Sequence, residues 1–106
     1  MKFTIDNGRM YLNNVHFCLA EAGNGSDGLR HGSYPLSSQF SHGHGDVLPN
    51  AEGAGWIGSD ARCDIVLGGV RGRNGVIPSK PFVEVMLAKL EVAEGIGQTV
   101  TLEIRA

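Results

Sequence analysis

Hydrophobic and polar positions alternate from the start of the chain. Lys2–Asp6 places Phe3 and Ile5 on one face, Asn7-Gly8 follows, and Arg9–Leu12 alternates again with Met10 and Leu12 inward. Asn-Gly between two such runs is a strong hairpin signal, because a type I′ turn needs positive φ at both central residues. Asn13-Asn14 makes a second tight turn. Val15–Leu19 then sets Val15, Phe17 and Leu19 on the inner face, with His16 and Cys18 on the other. The spacing predicts a three-strand meander.

The middle of the chain is less regular. Glu21–Gly28, EAGNGSDG, reads as loop. Leu29–Leu36 reads as a weak strand broken by Gly32 and Pro35, and Ser37–Asp46, SSQFSHGHGD, as a polar surface loop. Val47-Leu48 reads as a short strand before a turn at Pro49-Asn50. The stretch Gly53–Gly69, GAGWIGSDARCDIVLGG, holds the only Trp, Trp56, and one of the two cysteines, Cys63. Trp56-Ile57 and Asp64–Leu67 are strand candidates. The apolar run Ile65–Leu67, ended by Gly68-Gly69, has the form of a buried strand with Cys63 at its mouth. Gly69–Gly75, GVRGRNG, reads as loop.

One helix is predicted, over about 80–94. Phe82, Val83, Met86, Leu87 and Leu90 form a stripe of helical period. Ser79 or Lys80 caps it, Pro81 suits the first turn, and Gly95 ends it. Thr99–Arg105 closes the chain as a strand with Val100, Leu102 and Ile104 inward. The expectation is one mostly β (α+β) domain over 1–106: a compact sheet or barrel-like arrangement of about six to eight short strands with one helix packed on it.

Composition narrows the function. Of 106 residues, 42% are hydrophobic and 19% charged, and the net charge is −2. There is no basic field to draw the chain to nucleic acid or to an anionic membrane, so neither is expected as a partner. No window reaches the ~18 apolar residues of a membrane helix, and MKFTIDNG lacks a signal-peptide core. Two cysteines are too few for a disulfide scaffold and read as thiols of a reducing compartment, with a Cys18–Cys63 bridge left open. Exposed edges of a small sheet leave room for a homodimer.

Cys63 is the first candidate for chemistry. A catalytic thiol needs a base or cation beside it. Arg62 is adjacent, but neighbours on a strand point to opposite faces, and a free Cys is often an inert core residue. His16 lies on a strand face away from the apolar side. His42 and His44 fall in Ser41-His42-Gly43-His44-Gly45-Asp46, where either could serve Cys63 as base. An extended chain would also align His42, His44 and Asp46 for a metal such as zinc; a solvated loop is the plainer reading, and no metal or other cofactor is assigned. The Gly-rich segments GNGSDG and GGVRGRNG could form anion-binding nests, but neither follows a P-loop or dinucleotide pattern. Candidate binding residues are Trp56, Ser59, Arg62, Arg71 and Arg73, the last two suited to a phosphate or carboxylate.

The order of segments resembles a family of small uncharacterised bacterial and phage domains that is distantly similar to the L,D-transpeptidase catalytic domain. Val15–Glu21, VHFCLAE, is similar to the family's early strand. Gly28–Leu36, GLRHGSYPL, is similar to its proline-glycine-aromatic strand. Trp56–Gly68 resembles the core motif that ends in Gly-Cys-Ile-hydrophobic-Gly, Ser79–Leu90 its Ser-led helix, and Gly97–Ile104 its closing strand. The resemblance implies a compact β domain with one helix, a bacterial or phage-infected cytoplasm, and Cys63 at the position of a nucleophile that acts on peptidoglycan peptides. Three positions depart: Gly58 stands where the family has its His, Arg62 where it has Gly, and Asp64 where transpeptidases have Arg. With no His at 58, the expected function is a non-catalytic L,D-transpeptidase-like module. It would bind a protein, a peptidoglycan peptide or a small ligand, as a phage accessory or inhibitor protein does. The alternative is a Cys-dependent acyl-transferase or hydrolase. There Cys63 attacks, His44 or His42 is the base, and amides near Gly58 and Ser59 form an oxyanion hole.

Overall fold

The computed structural model describes residues 1–24 and 26–105. It is a mostly β domain, 51% strand with one helix, in which eight strands close a barrel and one more strand is added outside it. In chain order the strands are β1 (Lys2–Asp6), β2 (Arg9–Leu12), β3 (Val15–Ala22), β4 (Gly32–Ser41), β5 (Asp46–Ala51), β6 (Gly55–Gly58), β7 (Ile65–Gly72) and β8 (Gly75–Pro78). Helix α1 (Lys80–Gly95) and strand β9 (Thr101–Ile104) follow. The neighbour order is β3-β2-β1-β9-β4-β5-β6-β7-β8, and β3 also pairs with β7, which closes the ring and leaves β8 as the extra strand.

The meander forms as its alternation demands. Asn7 and Gly8 take φ of 50° and 77°, and Asn13 and Asn14 take 48° and 70°, the left-handed pairs of type I′ turns. Phe3, Ile5 and Met10 are fully buried. On β3, however, the inward residues are Cys18 and Ala20, and Val15 is 69% exposed. The cause is a register shift between Met10 and Tyr11 in the β2–β3 ladder, which turns β3 over relative to a simple alternation. Phe17, beside the shift, is half-buried against the core. Its ring stands 6.1 Å from that of Phe3 and 5.9 Å from that of Phe82 on α1, both edge-on, so it joins the helix to the barrel.

Three stretches read as loop or turn are strand. Ser37–Ser41 continues β4, which pairs with β9 through Gly32–Pro35 and with β5 through Leu36–Ser41. Pro49 and Asn50 lie inside β5, with Pro49 buried. Gly68 and Gly69 do not end β7; Gly68 lets β8 come close, and Gly69 faces the Phe82 ring of α1. A β-carbon on Gly68 would collide with the Ile77 carbonyl, and the chain turns back at Arg73-Asn74 with Gly75 at φ 114°. Helix α1 buries Val83, Met86, Leu90 and Ala93 and packs on β4, β5, β6 and β7. Its residue after the cap is Gly97, not Gly95: Gly97 has φ 73°, its amide donates to the Glu94 carbonyl, and the Gln98 amide donates to Ala93. Near that end the Glu94 carboxylate accepts from the Ser38 amide at 2.7 Å and from the Ser38 hydroxyl, tying α1 to β4.

Candidate functional site

Cys63 lies in the short connection from β6 to β7. These two strands are parallel, yet they overlap only through Ile57↔Ile65 and Gly58↔Val66, so the loop Ser59–Asp64 suffices to join them. The loop is held at both ends and in the middle. Asp60 accepts the Cys63 amide on its carbonyl and the Arg62 amide on its carboxylate, each at 2.9 Å. Asp64 and Trp56 exchange two bonds: the Asp64 amide donates to the Trp56 carbonyl at 3.0 Å, and the Trp56 amide donates to Asp64 Oδ2 at 2.9 Å. From the side, the Gly23 amide donates to the Asp64 carbonyl at 2.9 Å and the Asn24 amide to the Ala61 carbonyl at 2.7 Å. Gly23 must be glycine, since a β-carbon there would run into the Cys63 carbonyl.

An imidazole reaches Cys63 from another hairpin. Ser41 ends β4 opposite Asp46, which begins β5. Between them the chain closes on itself: the His44 and Gly45 amides both donate to the Ser41 carbonyl, at 3.3 and 2.7 Å, and Gly45 takes φ 69°. This turn folds the His44 ring inward. Nδ1 lies 2.8 Å from Ser41 Oγ, and Nε2 lies 3.5 Å from Cys63 Sγ. Ser41 is buried, so its hydroxyl is a fixed partner. With the proton on Nδ1, the ring donates to Ser41 Oγ and turns the lone pair of Nε2 to the thiol, the arrangement a general base requires. Thiol, imidazole and hydroxyl thus lie in contact in the order that a nucleophile, a base and a group orienting the base would take.

Gly58, where the resemblance expects His, is the floor of this arrangement. A β-carbon at 58 would stand 2.5 Å from Cys63 Sγ. The thiol occupies the space a side chain at 58 would need, and the imidazole comes from residue 44 instead. Cys63 is 1% exposed. Burial pushes its thiol above the ordinary value, and the carboxylates of Asp60 and Asp64 act in the same direction against the Asp60 hydrogen bond and Arg62. The resting thiol is therefore protonated at neutral pH.

The other candidates fall elsewhere. His42 is exposed and stands edge-on to Phe40, with ring centroids 4.9 Å apart, so it does not share the site. His42, His44 and Asp46 do not gather as metal ligands; among the described residues no three His, Cys, Asp or Glu do so. Arg62 is exposed and paired with Asp60 at 2.8 Å, and this guanidinium holds the Asp60 carboxyl down to about 2. Arg71 reaches the Gly8 carbonyl at 3.2 Å, and Arg73 is exposed at the β7–β8 turn. The segment GGVRGRNG is the β7–β8 hairpin rather than an open nest. Gly25 of GNGSDG lies outside the described residues. Trp56 is half-buried against the core, and Cys18 and Cys63 are both free thiols.

Ser59 borders a groove of about 380 Å³ whose walls include Asp46, Leu48, Val83 and Leu87. Its position links it to the thiol: Ser59 follows Gly58, and Leu48 Cδ1 lies 3.8 Å from the position of a Gly58 β-carbon. Ser41 and Gly23 were not singled out by sequence reasoning. Ser41-His42-Gly43-His44 does carry a signal for the first, a hydroxyl three residues before a His with glycine to permit the turn. Nothing local marks the second. Among known proteins, no family model, curated protein or solved structure matches the chain.

Proposed function

We propose that the protein is a Cys-dependent acyl-transferase or hydrolase of peptide substrates, with Cys63 as nucleophile, His44 as base and Ser41 positioning His44. The observation that carries this is the contact series Cys63 Sγ to His44 Nε2 at 3.5 Å and His44 Nδ1 to Ser41 Oγ at 2.8 Å. Sγ attacks the substrate carbonyl as its proton passes to Nε2. The tetrahedral adduct collapses, the leaving amine takes that proton, and a thioester remains. Water or a second amine, deprotonated by Nε2, then attacks the thioester and returns the thiol. The Arg62 and Cys63 amides already donate to Asp60, so stabilisation of the oxyanion falls to the Gly58-Ser59 backbone. The groove beside Ser59 is where the substrate lies, lined by apolar Leu48, Val83 and Leu87 and by the acidic residues Asp46, Glu84 and Glu91. Peptidoglycan stem peptides are the first substrates to test, on the strength of the motif resemblance around Cys63.

The thiol is neutral at rest, so proton transfer accompanies attack and no thiolate–imidazolium pair stands ready. The β4–β5 turn also closes over Sγ, so substrate entry requires it to lift. The decisive experiment is intact-mass analysis of the protein incubated with stem peptides. The expected result is an acyl adduct on Cys63 that is absent in Cys63→Ala and strongly reduced in His44→Ala. No adduct at any pH would overturn the proposal.

The closure of Cys63 at 1% exposure favours one other reading, a module that binds ligand in the groove without chemistry. It predicts peptide binding that survives Cys63→Ala and a thiol that alkylates only on unfolding.

A further inference from the structure

Helix α1 has two apolar faces. One, built from Val83, Met86, Leu90 and Ala93, is buried on the barrel. The other points away from it. Val85, Ala88 and Val92 follow at i, i+3 and i+7, a second stripe of helical period that Ile96, the C-cap residue, prolongs just past the helix end, with Val92 66% and Ile96 73% exposed. Met1 lies beside this stripe and, with Val85, Ala88, Lys89 and Val92, lines an open, largely apolar hollow of about 410 Å³. The stripe is flanked by charge of opposite sign: Glu84 and Glu91 on one side, Lys89 on the other.

We propose that this outer face of α1 pairs two copies of the chain about a two-fold axis, with the helices parallel. The charges decide the partner and the direction. In a parallel pairing Val85, Ala88 and Val92 meet their counterparts as a, d and a positions, and the acidic flank at Glu84 faces the basic flank at Lys89 of the partner copy. Glu84 of one copy then meets Lys89 of the other, twice by symmetry. An antiparallel pairing sets acidic flank on acidic flank and Lys89 near Lys89. A stripe evolved for an unlike partner has no need of self-complementary flanks. Ala88 at a d position lets the backbones approach closely. One stripe of about three turns places the contact in the small class, below ~1,200 Å², so the dimer is weak and dissociates on dilution.

Sedimentation of the full chain over roughly two decades of concentration tests this. The expected result is a reversible monomer–dimer equilibrium. Val92→Asp, at an exposed position, makes the protein monomeric, with its melting temperature unchanged at dilutions where the native chain is itself monomeric. Lys89→Glu weakens the dimer roughly tenfold, and adding Glu84→Lys to it restores pairing. Val85→Cys, facing its own copy across the axis, gives a disulfide-linked dimer under mild oxidation only if the helices are parallel. A monomer at every concentration, a dimer indifferent to Val92→Asp, or a charge swap that fails to restore pairing would overturn the proposal. Cross-linking that fails in a dimeric Val85→Cys protein would overturn its parallel geometry.

Discussion

Gly58 and Cys63 share one space, and that single contact explains most of what the site is. With a β-carbon position 2.5 Å from Sγ, Gly58→Ala must push the thiol aside or shift β6. Overpacking of this kind costs about 1–3 kcal/mol, so the variant is expected to melt lower and to lose the contact between Sγ and His44. Thermal denaturation checks the first, and the acyl-adduct rate the second. Ser41→Ala separates positioning from packing. It removes only a hydroxyl, but it frees His44 to take either tautomer. The expected result is a near-normal fold, a rate lower by about tenfold or more, and a changed pH profile for adduct formation. An unchanged profile would make Ser41 merely a buried hydroxyl. The position of Cys63 was legible in the sequence, since it stands at the mouth of the apolar run Ile65–Leu67. Its partner was legible only as one of two histidines, because nothing in the spacing of residues 42 and 44 says which one the turn at Gly45 folds inward.

Elements were legible where one face is buried and the turn chemistry is strict. The Asn-Gly and Asn-Asn turns, the α1 stripe and the closing strand meet those conditions. The misread stretches fail them for separate reasons. β4 is polar on much of its length because it borders solvent, and Pro35 is tolerated at an exposed position of it. β7 runs through two glycines because β8 needs the close approach at Gly68. The sequence pattern ends α1 at Gly95, but that residue is in helical geometry and the left-handed residue is Gly97. The two glycines therefore respond oppositely to alanine. Gly95→Ala has open space around it and is expected to stabilise by about 0.5–1 kcal/mol. Gly97→Ala, at φ 73°, is expected to destabilise by about 1 kcal/mol. Urea denaturation of the pair checks both signs at once.

At the scale of the molecule, a mostly β barrel-like domain was legible from short alternating runs and a single amphipathic helix, whereas closure was not. The β3–β7 pairing joins residues far apart in sequence, and no local pattern encodes which strands meet. Closure puts both cysteines inside: Cys18 points into the core from β3, and Cys63 is sealed under the β4–β5 turn. This makes stability depend on alkaline pH in a definite direction. Burial raises the Cys18 thiol from 9.0 to about 12 and raises Cys63 as well. An acid whose folded pKa lies above its unfolded value keeps its proton in the native state after the unfolded chain has lost it. Stability is therefore intact below the unfolded value and falls as pH rises from there towards 12. The limiting slope is about 1.4 kcal/mol per pH unit for each buried thiol. Denaturant midpoints measured across that range are expected to fall for the native chain. They fall less steeply for Cys18→Ala, even though that variant starts lower for loss of packing. Equal slopes would mean that Cys18 already reaches water in the folded barrel, and that the β3–β7 seam is open.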